Sequence, residues 1–324
     1  MADPELRREL REAVVGAPLY NVSELMAVTG TPREFADELW LSLGFPLLVD
    51  DAAVNYSEGD AEALRNLNEL IALELAEREK LLAMTRVMGQ SMSRIAAAQV
   101  QLFADGLVAM VNHDDDGLVD DEVRAAIIDL MVPGVERFVS YCYRRHLSAA
   151  LDREIDKSDD QGLGVIGFVD LVDFTRTTRK LDDGELADLV GRFERHVYET
   201  ITNSGARLRK LLGDGVMFDA PDATQAATAA LALVMRCAED PRMAGARGGL
   251  ALGPILEMEG DIYGETVNRA SRLAGLAYPN TVVADRSVGE SVQGVAGLSV
   301  RPLGLRPVKG LGRVDVVVIR PALV

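Results

Sequence analysis

Six polar side chains in the second half of the chain, Asp170, Lys210, Asp214, Asp261, Asn268 and Arg272, lie in three segments whose patterning gives each a defined local position. Asp170 closes the apolar run Val165-Ile-Gly-Phe-Val169, whose β-branched and aromatic content reads as a buried strand, so its carboxylate stands at a strand tip. Lys210 and Asp214 fall in Ala206-Arg-Leu-Arg-Lys-Leu-Leu-Gly-Asp-Gly-Val-Met-Phe218, two short alternating runs joined at Asp-Gly. That is a hairpin signal, with Asp214 at the turn. Asn268 and Arg272 are four apart and share one helix face, fed by a glycine-punctuated loop that begins at Asp261. Acids, cations and an amide set out this way suit chemistry on a cation-bound phosphate.

The elements around them read as strand, helices, hairpin, helix and strand. A long helix, Ala223 to Glu239, precedes Arg247-Gly-Gly-Leu-Ala-Leu-Gly253. This order predicts a ferredoxin-like α+β core. In that topology the first two strands run parallel with the third antiparallel between them, so Asp170 and Asp214 converge at one edge. Two carboxylates held close repel unless a cation lies between them, and a pair of Mg²⁺ or Mn²⁺ ions is the usual answer in phosphoryl-transfer chemistry. The chain has 51 acidic residues, most of which must simply be solvated. Spacing to the other four residues is what singles these two out.

Together these residues resemble the catalytic domain of the class III nucleotidyl cyclases. That family carries a strand-end Asp, a Lys four residues before a hairpin Asp, and Asp-x-x-Gly-x-x-Val-Asn-x-Ala-x-Arg. The resemblance runs from about Leu163 to Val318 and matches all six positions. It implies metal binding by Asp170 and Asp214, ribose orientation by Asn268, and stabilisation of transition-state charge by Arg272. Lys210 can donate to adenine N1 and Asp261 can accept from the adenine amine, and since guanylyl members of the family usually carry other residues at these two positions, the resemblance implies ATP rather than GTP. Arg247 and Lys309, the latter in Val308-Lys-Gly310, resemble triphosphate contacts. The resemblance also implies a head-to-tail homodimer with shared active sites, and cyclic AMP and pyrophosphate as products. Gly248 departs from the larger apolar residue of many relatives, an expected loosening of that strand.

With 324 residues, 48% hydrophobic and 26% charged, the chain is long enough for two soluble domains. No apolar run approaches the roughly 20 residues of a membrane span, and the start lacks signal-peptide character, so a cytoplasmic protein is expected. Cys142 and Cys237 are too few and too isolated for a disulfide framework or a zinc site. A net charge of −17 argues against nucleic acid as a partner.

Residues 1–151 read as an all-α domain, 152–162 as a polar linker and 163–324 as the catalytic domain. Glu5 to Val15, Ala61 to Glu79 and Met88 to Leu107 have the three-and-four spacing of amphipathic helices. A further helix is expected from about Gly134 to Leu151. Near the start, a helix after Ser23, a break at Gly30-Thr31 and a second helix from Pro32 to Gly44 form a helix-turn-helix layout. Its second helix offers Arg33 beside Glu34, Asp37 and Glu38, which suits scaffolding better than DNA reading. Leu39 to Pro46 resembles the N-terminal regulatory region of some soluble bacterial adenylyl cyclases, implying autoinhibition.

Asn112-His-Asp-Asp-Asp-Gly117 begins like a calcium loop, but its twelfth position is Val123 with Glu122 one place early, so an acidic turn is expected. Histidine is the residue type suited to sensing protons near neutral pH, which makes His113 and His146 candidates for a proton effector, and the apolar helical interior could take a small apolar molecule instead. Two other readings compete with a regulated adenylyl cyclase. One is a non-enzymatic dimeric regulator built on a cyclase-like fold and the helix-turn-helix; the other is a guanylyl cyclase, which Lys210 and Asp261 disfavour.

Overall fold

The computed structural model describes residues 4–47, 50–74, 76–111, 132–155 and 162–322. It divides into two compact units, Met1–Asp156 and Lys157–Val324. The stretch from Asn112 to Val123, with His113, lies outside the described residues.

The first unit is helical among the described residues: α1 (Pro4–Val15), α2 (Val22–Thr29), α3 (Arg33–Ser42), α4 (Glu58–Ala72), α5 (Arg78–Val111) and α6 (Val132–Ile155). Asn21, not Ser23, caps α2, because its side chain accepts from the Glu24 amide while Glu24 accepts from the Asn21 amide. Gly30, at φ 68°, ends that helix in the left-handed region that glycine tolerates. The single helix expected over Ala61 to Glu79 is broken after Ala72, with Glu74 at φ 54°. The break lets Leu64 and Leu67 before it and Leu82 after it reach one core with Val22, Leu25 and Leu39. Arg33 pairs with Asp37 and Asp51, and Arg78 with Glu38. The polar face of α3 is therefore occupied by ion pairs within the unit. Helix α6 continues through Asp152 to Ile155, and His146 is exposed on it. No helix among the described residues is long and apolar enough to cross a membrane.

The second unit is α+β. Its seven-stranded sheet has the order β2-β3-β1-β4-β7-β9-β8, from β1 (Leu163–Leu171), β2 (Arg207–Leu211), β3 (Gly215–Ala220), β4 (Ala246–Pro254), β7 (Val282–Asp285), β8 (Leu298–Val308) and β9 (Gly312–Pro321). A small ribbon pairs β5 (Leu256–Met258) with β6 (Asp261–Tyr263). Helices α7 (Phe174–Thr178), α8 (Asp183–Ile201), α9 (Ala223–Glu239), α10 (Glu265–Leu276) and α11 (Arg286–Ser291) complete it.

Alternation along β1 divides the unit into two layers. Val165, Val169 and Leu171 join Phe193 and Val197 of α8 and Ala226 and Ala230 of α9 in the main core. Ile166 and Phe168 point the other way and pack with Met217, Ala270 and Ala274 under α10. Because strand side chains alternate, Asp170 shares the α10 face with Ile166 and Phe168. That face carries the candidate site.

Candidate active site

Asp170 stands one residue from the end of β1, paired with Gly215 on β3 and with Arg247 on β4. Both flanking pairs are antiparallel, so β2 runs parallel to β1 across β3, and the β2–β3 turn lies at the tip of β1. The Leu171 amide donates to the Asp214 carbonyl at 2.8 Å, tying that tip to the turn. Gly215 leaves room for the acid, since a Cβ there would run into the Asp170 carboxylate. Burial raises the Asp170 pKa first, the Asp214 charge raises it further, and Arg247 opposes both. The Arg247 Nε is buried without a partner among the described residues, while Nη1 of the same guanidinium donates to the Gly275 carbonyl of α10 at 3.4 Å.

Lys210 and Asp261 meet in an ion pair between β2 and β6. The second Asp261 oxygen accepts from the Ile262 amide at 2.8 Å, and Ile262 is anchored in the core under α10. Asn268 and Arg272 are both exposed on α10. The buried residues of that helix are Thr266, Ala270, Leu273 and Ala274. At about 100° of turn per residue, Asn268 and Arg272 fall on the side opposite this buried stripe. They point away from their own sheet while Asp170 lies on it.

Lys309 is exposed in the β8–β9 turn, next to Val308, which packs with Leu273 of α10. That turn adjoins the Asp285 end of β7, whereas Arg247 lies near the opposite end, beside the Gly248–Val282 pair. The chain thus forms two groups. Asp170, Asp214 and Arg247 gather at one end of the sheet; Asn268, Arg272 and Lys309 go with α10.

Among the described residues no cluster of three or more acidic, His or Cys side chains forms a metal cage. The donor set still fits Mg²⁺ or Mn²⁺, because such ions are commonly held by one or two carboxylates plus substrate phosphates. The Asp214 charge adds to burial in raising the Asp170 pKa, and a cation between the two carboxylates would relieve that repulsion.

The adenylate cyclase of Streptomyces coelicolor is 32% identical to this chain over 348 aligned positions, covering 97% of this chain and 90% of that protein. The chain belongs to the adenylate cyclase family. The adenylate cyclase of Streptomyces griseus is 33% identical over 288 positions, 87% of this chain and 71% of its own. No protein-family model matches. Among solved structures, the adenylyl cyclase CyaB of P. aeruginosa is similar over 50% of this chain and 95% of that one, at 20% identity and TM-score 0.43.

Two features of this cyclase lie outside the six-residue pattern. The first is Gly249, where a Cβ would clash with the backbone of α10 at Ala270 and Ala274. It lets the helix carrying Asn268 and Arg272 lie flat on β4. Gly248 is tightly enclosed on the opposite face, a Cβ there coming to 3.1 Å from Val282, so its strand is filled rather than loosened. Glycine inside a strand pattern is the signal that could have found this close approach. The second is Arg209, the residue at which β2 loses register with β3.

Proposed function

We propose that the protein converts ATP to cyclic AMP and pyrophosphate at sites shared between two copies of the chain. As a member of the adenylate cyclase family it is an enzyme, a phosphorus–oxygen lyase. The observation that carries the shared site is the opposed aim of its two groups: Asp170 lies on the sheet, and Asn268 and Arg272 face away from it on α10. One chain supplies the acids and a second supplies the α10 residues. In a symmetric pair this gives two equivalent sites.

In this reading Lys210 donates to adenine N1 and Asp261 accepts from the adenine amine, each already oriented by the other. Asn268 holds the ribose so that its 3′-oxygen faces the α-phosphorus. The Arg272 guanidinium stabilises charge developing on the phosphoryl oxygens. Arg247, with its unsatisfied Nε, and Lys309 receive the polyphosphate. Asp170 and Asp214 would hold two Mg²⁺ or Mn²⁺ ions. When bound, these supply an acidified 3′-hydroxyl and charge neutralisation on departing pyrophosphate. The helical unit regulates by restraining how the catalytic units meet, a reading that rests on the resemblance of Leu39 to Pro46.

The test is cyclic AMP formation from ATP with Mn²⁺ by the full chain, by Asp170→Ala and by a fragment beginning at Lys157. Product from the wild type alone among the two full-length proteins is expected, with a faster fragment. No product from full length or fragment, with dimers intact, overturns the reading.

A further inference from the structure

The alternation of Arg207-Leu-Arg-Lys210 would place Lys210 on the same face as Leu208 if β2 were regular. Leu208 pairs with Phe218, and both belong to the main core beneath α8 and α9. A regular strand would therefore aim the lysine into apolar packing, away from Asp261. The register shift at Arg209 prevents this. Leu208 pairs with Phe218 but Lys210 pairs with Met217, a residue of the opposite, α10-side core. An extra residue in one strand re-aims every side chain after it.

Something must hold the extra residue, and four charges do so. Arg209 is 6% exposed and pairs with Asp219 on β3 and Glu257 on β5. Arg207 grips Asp219 through two bonds of 3.1 Å and reaches Glu257 at 2.6 Å. Arg209 also donates to the Gly260 carbonyl at 3.5 Å, in the turn that leads into Asp261. Two guanidiniums and two carboxylates cancel, so the cluster can stay sheltered without net charge. Its reach is the informative part: it joins the strand that carries Lys210 to the ribbon that carries Asp261.

We propose that Arg209, clamped by Asp219 and Glu257, is a positioning residue for nucleobase selection, turning Lys210 onto the face of Asp261 and holding the β5–β6 ribbon at the distance where the two meet. The inference rests on the reading that Lys210 and Asp261 contact the base. Arg209 itself contacts neither base nor phosphate and acts through Lys210 and Asp261. Losing the clamp should loosen base choice while leaving Asp170, Asp214, Asn268 and Arg272 in place.

The experiment compares binding of 3′-deoxy-ATP and 3′-deoxy-GTP, which lack the attacking hydroxyl, to the full-length protein with Mn²⁺ by calorimetry. Variants are Arg209→Met, Arg209→Lys, Glu257→Gln and, as reference, Lys210→Ala. Because an ångström-scale misplacement of a recognition group is costly, Arg209→Met should cut the adenine preference by about tenfold or more. Glu257→Gln, the gentler change if Arg209→Met fails to fold, should cut it less, and Arg209→Lys should recover part of the loss. In turnover the same variants should raise KM for ATP more than they lower kcat. An undiminished adenine preference in folded Arg209→Met or in Glu257→Gln, with the preference lost in Lys210→Ala, overturns the clamp alone. A preference unchanged in Lys210→Ala overturns the base-reading assignment, and the clamp's role with it.

Discussion

Lys210 and Asp261 are 51 positions apart in the chain and meet as an ion pair between the edge strand of the sheet and a two-stranded ribbon. The pair presents a donor beside an acceptor, which complements the N1 acceptor and amine donor of adenine; guanine presents the reverse. Inverting the pair as Lys210→Glu with Asp261→Lys keeps opposite charges in contact while reversing the pattern shown to the base. The double variant is expected to lose ATP turnover by at least about tenfold and to favour GTP, since a site built to hydrogen-bond one edge rejects a mismatched one strongly. Parallel kcat/KM measurements on the two nucleotides decide it.

Asp170 makes a stability prediction as well as a catalytic one. Burial and the Asp214 charge raise its pKa above the ordinary 3.8. A carboxyl with a raised folded pKa binds its proton more tightly in the folded protein. Its ionisation therefore costs stability as pH rises from the unfolded value through the folded one, and the cost is complete above both. Asp170→Asn should melt higher than wild type at neutral pH without metal, and the difference should shrink as pH falls toward the unfolded value. Mn²⁺ should raise the wild-type melting temperature more than that of the variant, which should form no cyclic AMP. Equal melting curves at neutral pH would remove the argument.

Much of this layout could be read from local pattern. The helix from Ala223 to Glu239 forms over those residues, with Asp222 as its cap, and Asp170 and Asp214 meet where the topology brings them. Other features depend on distant partners and leave no local trace. Arg-Leu-Arg-Lys alternates like any strand, and the partners that hold the extra residue there, Asp219 and Glu257 foremost, are 10 and 48 positions away from Arg209. The break after Ala72 contains neither glycine nor proline. It exists because residues on both sides must reach one core. The exposed aim of Asn268 and Arg272 follows from where Ala270 and Ala274 are buried, and that needed the helix docked on Gly249.

Two glycines near α10 should respond oppositely to alanine. At Gly249 a methyl group would strike the helix backbone, so Gly249→Ala should cost about 1–3 kcal/mol or more, as overpacked cores do. Displacement of α10 should also lower kcat, because Asn268 and Arg272 move with it. Gly275 lies inside the same helix with open space where a Cβ would be. Gly275→Ala should stabilise by about 0.5–1 kcal/mol through helix propensity and reduced unfolded-state freedom. Thermal melts of the two variants beside wild type check both signs.

The shared site makes a quantitative prediction for mixed dimers. Arg272 is exposed, so Arg272→Ala should change stability by less than about 0.5 kcal/mol while cutting turnover by about 10²-fold or more. Asp170→Ala should be inactive on its own. In a mixed dimer of the two variants, one site combines both defects and the other combines the intact Asp170 of one chain with the intact Arg272 of its partner. Half of the dimers in an equal mixture are mixed, and each has one working site of two, so activity should return to about a quarter of wild type. If each chain instead built its site from its own Asp170 and Arg272, every site in the mixture would carry one defect and activity would stay near that of the separate variants. Measuring cyclic AMP after unfolding and refolding the two variants together, against the same variants refolded apart, separates these arrangements without knowledge of the regulatory signal.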